Sequence, residues 1–301
     1  MRVSAFKINE PVPELNDPIV FGTLIPWLDA GNVGTVVLSR LEESLQAVKI
    51  AELAVPGRFF DFTRYRPLAR FVEGQRVLKI PNCTLSYAKR PGASDILFLN
   101  MLEPHLFAER YIDAVLQLLK ALGVKKHCRV GAWWDAVPHT RTLPVSYSVA
   151  GQQVDLNTGD LLPRRPGGYE GPTSIINQVT DRLESFGIEN QSLMLRLPYY
   201  ARLEEDHTGV ARLIETMMQV FDLPTTLADV AAAEAYEGKR QYQRLSSQVS
   251  SSPEVNALVQ RLEEEYDSQE PNTSSEPPPS LSPEVEKFLR EINDQMGGPG
   301  T

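Results

Sequence analysis

Over its first 225 residues the chain alternates short β-forming apolar runs with helical patterns, and few folds accept a sequence so arranged. Residues 19–25 (IVFGTLI) read as a short buried strand. Asp29-Ala30-Gly31-Asn32 breaks that run, and Val33, Val36, Val37, Leu41 and Leu45 then recur at helical spacings of three and four. Further strands are expected in VKIAELAV (48–55), RVLKI (76–80), LSYAK (85–89) and DILFLNM (95–101), the first three set between turn signals at Pro56-Gly57, Glu73-Gly74 and Pro91-Gly92. Residues 105–122 carry a helical stripe of Leu106, Tyr111, Val115, Leu118, Leu119 and Leu122, stopped by Gly123. CRVGAWWDAV (128–137) reads as a core strand ended by Pro138, with further strands in PVSYSV (144–149) and QSLMLRL (191–197). Gly171-Pro172 opens a helix whose inward face is Ile175, Ile176, Val179, Leu183 and Phe186, with proline at the first helical position. Residues 206–221 give another, with Val210, Leu213, Ile214, Met217 and Phe221 inward. The expected fold class is α/β, with a mostly parallel or mixed central sheet flanked by helices.

The texture changes after Pro224. Residues 226–301 hold fourteen acids against six bases, a net −8 of the chain's −9, so residues 1–225 are nearly neutral. The chain therefore divides into an α/β core, 1–225, and an acidic helical extension, 226–301, interrupted by a proline- and serine-rich linker at 268–283. Two segments flanking the linker echo each other. Ser252-Pro253-Glu254-Val255 leads into Leu258, Val259 and Leu262, and Ser282-Pro283-Glu284-Val285 leads into Phe288, Leu289 and Ile292. Each has a good helix start and one narrow apolar stripe, so each needs a surface to dock on.

The same composition excludes several functions. No basic face is visible to neutralise phosphates, so nucleic acid is not an expected partner. No run of eighteen apolar residues is present, the N-terminus MRVSAFKINEP lacks the apolar block of a signal peptide, and the only cysteines are Cys83 and Cys128. A soluble cytoplasmic protein without membrane contact fits these features.

Four separated segments carry a family resemblance: IPWLDAGNVG (25–34), AVPHTRTLPV (136–145), YEGPTSI (169–175) and LMLRLPYY (193–200). Their order and spacing resemble those of the proteasome assembly chaperone 2 family. The extension, from LADVAAAEAYEG through VNALVQRLEEEYD to VEKFLREINDQ, is similar to that of longer bacterial members. The resemblance implies a core related in topology to nucleoside phosphorylases and hydrolases, and self-assembly, often as homotrimers. It implies chaperone action in proteasome assembly for eukaryotic members. Two features depart from the family: Tyr199 stands where a histidine is usual, and the chain ends in MGGPGT, not in a hydrophobic–tyrosine tail that docks into proteasome pockets.

Candidate chemistry centres on the strand ends, where open α/β sheets collect ligands. Asp29 and Asn32 flank a glycine turn that meets a helix N-terminus. His139 can exchange a proton near neutral pH and Arg141 can clamp an anion, with Glu170 and Thr173 at the start of the next helix. If they converge, these six form a ligand-binding pocket for a carboxylate or phosphate. Alternatively, Asp29 or Asn32 caps the helix, Arg141 pairs with Glu170 and His139 bonds backbone. His105 and Glu109 lie one helical turn apart but lack a third metal ligand nearby in sequence. Trp133 and Trp134, adjacent in a strand, face opposite sides, and Trp27 beside the glycine turn is a candidate for partial exposure. No nucleophile elbow or zinc-spaced cysteine pair occurs, and no cofactor is called for. Two functions remain: a self-assembling, chaperone-like protein that binds a protein client, or a small-molecule-binding or hydrolase/phosphorylase-like enzyme using the strand-end pocket.

Overall fold

The computed structural model describes residues 1–156 and 171–268. Twelve strands and six α-helices are formed among them. In chain order they are β1 (Arg2–Val3), β2 (Phe6–Ile8), β3 (Ile19–Ile25), α1 (Val33–Ser44), β4 (Val48–Leu53), β5 (Leu68–Val72), β6 (Gln75–Lys79), β7 (Thr84–Ala88), β8 (Ile96–Leu102) and α2 (Ala108–Ala121). They continue with β9 (Lys126–Asp135), β10 (Val145–Val149), β11 (Gln152–Val154), α3 (Ile175–Thr180), β12 (Glu189–Pro198), α4 (His207–Phe221), α5 (Leu227–Ser251) and α6 (Pro253–Asp267).

Ten strands make one sheet in the order β1-β2-β4-β7-β8-β3-β9-β12-β10-β11. The four central strands, β8, β3, β9 and β12, run parallel. All pairings outside them are antiparallel. The sheet is thus of the mixed kind, parallel only in its middle, where helical crossovers connect the strands. Both faces of that middle are covered, which explains the almost unbroken apolar runs of β3 and β8.

The period of two sorts each strand's residues between two cores. Phe21, Phe98, Val130 and Leu195 face α1, α4 and α5. Val20, Leu97 and Leu99 face α2 and α3. Cys128 is buried in the first core, as a packing residue. A third, smaller cluster joins α5 and α6 to Tyr199, Tyr200 and Ala201 just beyond β12.

Three expectations need correction. The helix after Gly171-Pro172 starts at Ile175 with Ser174 as its N-cap, so Pro172 lies before the helix and not at its first position. This helix runs only to Thr180, and the chain turns once more at Glu184–Phe186. Leu106 is exposed, because α2 begins only at Ala108 after a left-handed Phe107. Finally, β5 and β6 join no other strand and form a separate hairpin. The second tail segment, with Val285 and Phe288, lies outside the described residues.

Candidate functional site

Strands β3, β9 and β12 end at one rim, and the loops that follow them hold most of the predicted site. The loop after β3 stays against β9: Ala132 donates its N–H to the Leu28 carbonyl at 2.8 Å. Only glycine permits this approach, since a Cβ on Gly131 would lie 2.1 Å from that carbonyl oxygen. Gly31 takes a left-handed φ of 57° and accepts the Asp206 N–H at 3.0 Å, tying the β3 loop to the start of α4.

Asp29 is buried beneath the N-terminus of α1. Its carboxylate accepts the Thr35 N–H at 3.1 Å and the Thr35 hydroxyl at 2.5 Å. Burial nevertheless raises its pKa, against the lowering effect of these bonds. The carboxylate therefore occupies the position that an external anion would take at this helix end. Asn32 is exposed, left-handed at φ 50°, and makes no side-chain cap bond.

His139 is buried, and its backbone N–H and both ring nitrogens are matched. Its N–H donates to the Tyr200 hydroxyl at 2.8 Å, and Nδ1 lies 2.7 Å from the same oxygen. Nε2 lies 3.0 Å from the Ser246 hydroxyl, which itself donates to the Tyr242 carbonyl at 2.8 Å. Because Ser246 spends its proton on Tyr242, it accepts from Nε2–H, and Tyr200 donates to Nδ1. The imidazole is thereby held neutral in one tautomer. Burial pushes its pKa down to about 4, with Glu263 opposing. Burial likewise pushes the Tyr200 phenol up.

Arg141 faces the tail. Its Nε and Nη2 donate to the two carboxylate oxygens of Asp267 at 2.9 and 2.7 Å, and Nη1 approaches Glu263 at 3.4 Å. Thr140 donates its hydroxyl to Glu263, and Tyr266 donates to the Thr142 carbonyl at 2.8 Å. Segment 139–142 thus binds α5 through Ser246 and α6 through Glu263, Tyr266 and Asp267. Apolar packing completes the dock. Leu245, Val249, Val255, Val259 and Leu262 close on Tyr199, Tyr200 and Ala201, with Trp134 beside them. Tyr199, which stands where the family resemblance led to a histidine, is buried in this cluster.

A second network ties α5 down further back. Tyr242 donates to Asp206 at 2.8 Å, and Asp206 caps α4 by accepting the Gly209 N–H at 2.8 Å. Glu234 accepts from Arg40 at 2.6 Å and lies 2.6 Å from His207 Nδ1. Burial would raise the Glu234 pKa, but these two partners together hold it below the usual carboxylate range.

Thr173 sits elsewhere. It is exposed and accepts from Asn177 Nδ2 at 2.8 Å, at the head of α3, which packs into the opposite core from α1, α4 and α5. Glu103 caps that helix by accepting the Ile175 N–H at 3.0 Å. Glu170 lies outside the described residues. The rim therefore gathers Asp29, Asn32, His139 and Arg141 on the loops after β3 and β9, while Thr173 lies just before a helix on the other face of the sheet. His105 accepts the Asp61 N–H at 3.2 Å through Nδ1. Trp133 is half-buried, and Trp27 is 48% exposed. Among the described residues no three His, Cys, Asp or Glu side chains are grouped to hold a metal. No helix there is long and apolar enough to cross a membrane.

Sequence reasoning missed Tyr200, Asp206, Glu234, Tyr242 and Ser246. The tyrosine was visible in LMLRLPYY, but its partner lies 61 residues away, and no local spacing announces that pairing.

The model of the PAC2 family matches residues 23–246. The chain belongs to the PAC2 family. Solved structures share its fold. A protein of unknown function from Mycobacterium tuberculosis is 26% identical, covering 89% of this chain and 90% of its own, with a TM-score of 0.71. A Corynebacterium glutamicum protein of unknown function is 21% identical, covering 88% and 98%, with a TM-score of 0.72. A proteasome-assembly chaperone homologue from Mycobacterium tuberculosis is 24% identical, covering 80% and 99%, with a TM-score of 0.66. The search of curated proteins gave no match. In PAC2 terms, the matched residues run from the end of β3 through most of α5, whereas β1, β2 and α6 lie outside them.

Proposed function

We propose that this PAC2 protein is a self-assembling, chaperone-like protein that binds a protein client in the cytoplasm and performs no catalysis at its strand-end rim. One observation carries the reading: the rim's acid–base and anion-clamping groups are engaged by the protein's own tail. His139 is locked between Tyr200 and Ser246, and Arg141 is forked onto Asp267. A general base needs a titratable group within reach of a substrate proton, and a buried imidazole with both nitrogens bonded offers none. What remains on the outside is surface for other proteins. The names of structural neighbours, a proteasome-assembly chaperone homologue and an archaeal proteasome activator from Pyrococcus furiosus, suggest a proteasome subunit as the class of client. Residues 226–301 are then an extension that completes the core of 1–225, and the working unit is a homo-oligomer, a trimer by family resemblance.

The test adds the full chain to separately purified proteasome α and β subunits and follows assembly on native gels. Faster appearance of assembled particles, with the chain in an intermediate complex, is expected. Unchanged assembly and no complex would remove the proteasomal client. A thermal-shift panel of nucleosides, sugar phosphates and carboxylates separates the enzyme alternative at Asp29, Asn32, His139, Arg141, Glu170 and Thr173. A ligand at a hundred times its Kd adds about 2.7 kcal/mol, and a melting rise that His139→Ala and Arg141→Ala abolish would favour that alternative.

A further inference from the structure

On the α1 side of the sheet, one row of side chains is polar across five strands. Lys7, Glu52, Thr84, Asn100 and Thr23 stand opposite one another on β2, β4, β7, β8 and β3. The period of two sets Asn100 and Thr23 on the same face as Phe98 and Phe21, whose core includes residues of α1. The row runs from solvent inward. The Lys7 side chain is 55% exposed and that of Glu52 19%, Thr84 and Asn100 are half-buried, and Thr23 is 1% exposed. Glu42 of α1 reaches down to this row. Arg40 leaves one flank of α1 for Glu234 on α5, and Glu42, two residues on and so about half a turn round, leaves the other. Its carboxylate accepts from Asn100 Nδ2 at 2.6 Å and from the Ser86 hydroxyl at 3.3 Å.

Both donors are neutral. Among the described residues Glu42 takes part in no ion pair. Glu52, in the same row, holds Lys7 at 2.7 Å and Lys49 at 2.6 Å. Burial raises the Glu42 pKa against its two hydrogen bonds. Charges withdrawn from water are normally paired, so a half-buried carboxylate met only by neutral donors is a seat for a cation. The row also supplies neutral acceptors. Asn100 spends Nδ2 on Glu42, and its Oδ1 and the Thr84 hydroxyl enter no side-chain hydrogen bond among the described residues. Next to Asn100 in register, the Thr23 hydroxyl is buried without a partner there. It lies under the first turn of α1, where a Cβ on Gly34 would come within 2.7 Å of it. Buried polar groups are matched as a rule, so this hydroxyl marks the inner end of the row as a place for a polar guest. A cation without N–H groups would answer only the charge; a primary ammonium also brings donors for these acceptors.

We propose that Glu42, Asn100 and Thr84 form a binding site for the primary ammonium group of a small organic amine. The ammonium N–H groups donate to the Glu42 carboxylate, to Asn100 Oδ1 and to the Thr84 hydroxyl. The site shares no residue with the His139 rim and is independent of the chaperone reading. Proton–nitrogen correlation of the full chain at low ionic strength tests it, with propylamine as the probe. The Asn100 side-chain amide, assigned by its loss in Asn100→Asp, is expected to shift saturably with propylamine. Tetramethylammonium, a cation without N–H donors, should leave it in place. Glu42→Gln keeps the shape and removes the charge, and should weaken binding at least tenfold. Thr84→Val leaves the carboxylate intact and should weaken it about fivefold, so the site is still reported on if Glu42→Gln disturbs α1. Glu264→Gln, which removes an exposed acid from α6, should change nothing. No saturable shift, equal affinity in Glu42→Gln, or an equal response to tetramethylammonium would overturn the proposal. Magnesium that takes the site more tightly than propylamine would make it a metal site and overturn the amine.

Discussion

His139 shows how a residue of catalytic type becomes structural. Its folded pKa of about 4 lies below the ordinary 6.5, so folding favours the neutral ring. The resulting stability is fully present above pH 6.5. It is lost as the pH falls toward 4, because the unfolded chain takes up the proton first. The size is of order 3 kcal/mol. His127 adds a slope of the same sign: it is buried, without a hydrogen-bond partner at either ring nitrogen among the described residues, and also pushed down to about 4. Denaturant unfolding at pH 7 and pH 5 should therefore show a loss for the wild type and a smaller loss for His139→Gln. Equal losses would mean that His139 titrates like a free imidazole. Tyr200→Phe should cost about 1–3 kcal/mol at pH 7, since it strands both the His139 N–H and Nδ1 in the interior. A melting point unchanged by that substitution would contradict the assigned bonds. Sequence alone singled out His139 and Arg141 but not their roles. Their deciding partners, Ser246 and Asp267, lie 107 and 126 residues further along.

At the scale of elements, the pattern was most legible where burial is heaviest. Both-face burial made β3 and β8 read as strands, and the stripes of α1, α2 and α4 read as helices, with Gly123 left-handed at φ 69° after α2 as expected. The antiparallel flanks were less legible. Alternation of strand and helix speaks for the crossovers of the middle strands, and says nothing of how β4 and β7 run. Pro172 misled because a Gly-Pro pair suits a turn before a helix as well as its first position; Ser174 holds the N-cap position without a side-chain cap bond, and Glu103 takes the Ile175 N–H instead. For α6 the narrow stripe did foretell docking. Val255, Val259 and Leu262 are buried against Tyr199 and Tyr200. Val259→Asp should undock α6, making residues 253–267 readily cleaved by protease while the sheet's thermal transition stays cooperative. Retained resistance would show that the Thr140 hydrogen bond and the Arg141 ion pairs hold α6 without its apolar face.

The molecule as a whole is a sheet whose working rim is closed by a C-terminal segment of the same chain. Deleting residues 226–301 removes α5 and α6 and uncovers Tyr199, Tyr200 and Ala201, so size exclusion with light scattering should show a changed oligomer or aggregation. An unchanged assembly would mean that the extension has no part in it. The central claim, that the tail seals His139 in one neutral tautomer, is open to a direct measurement. Proton–nitrogen correlation of the histidine rings in the full chain, with His139 assigned by its loss in His139→Gln, reports tautomer and titration together. A slowly exchanging Nε2–H and no titration between pH 8 and pH 5 are expected; an imidazole that protonates near pH 6.5 with a rapidly exchanging ring proton would contradict the account.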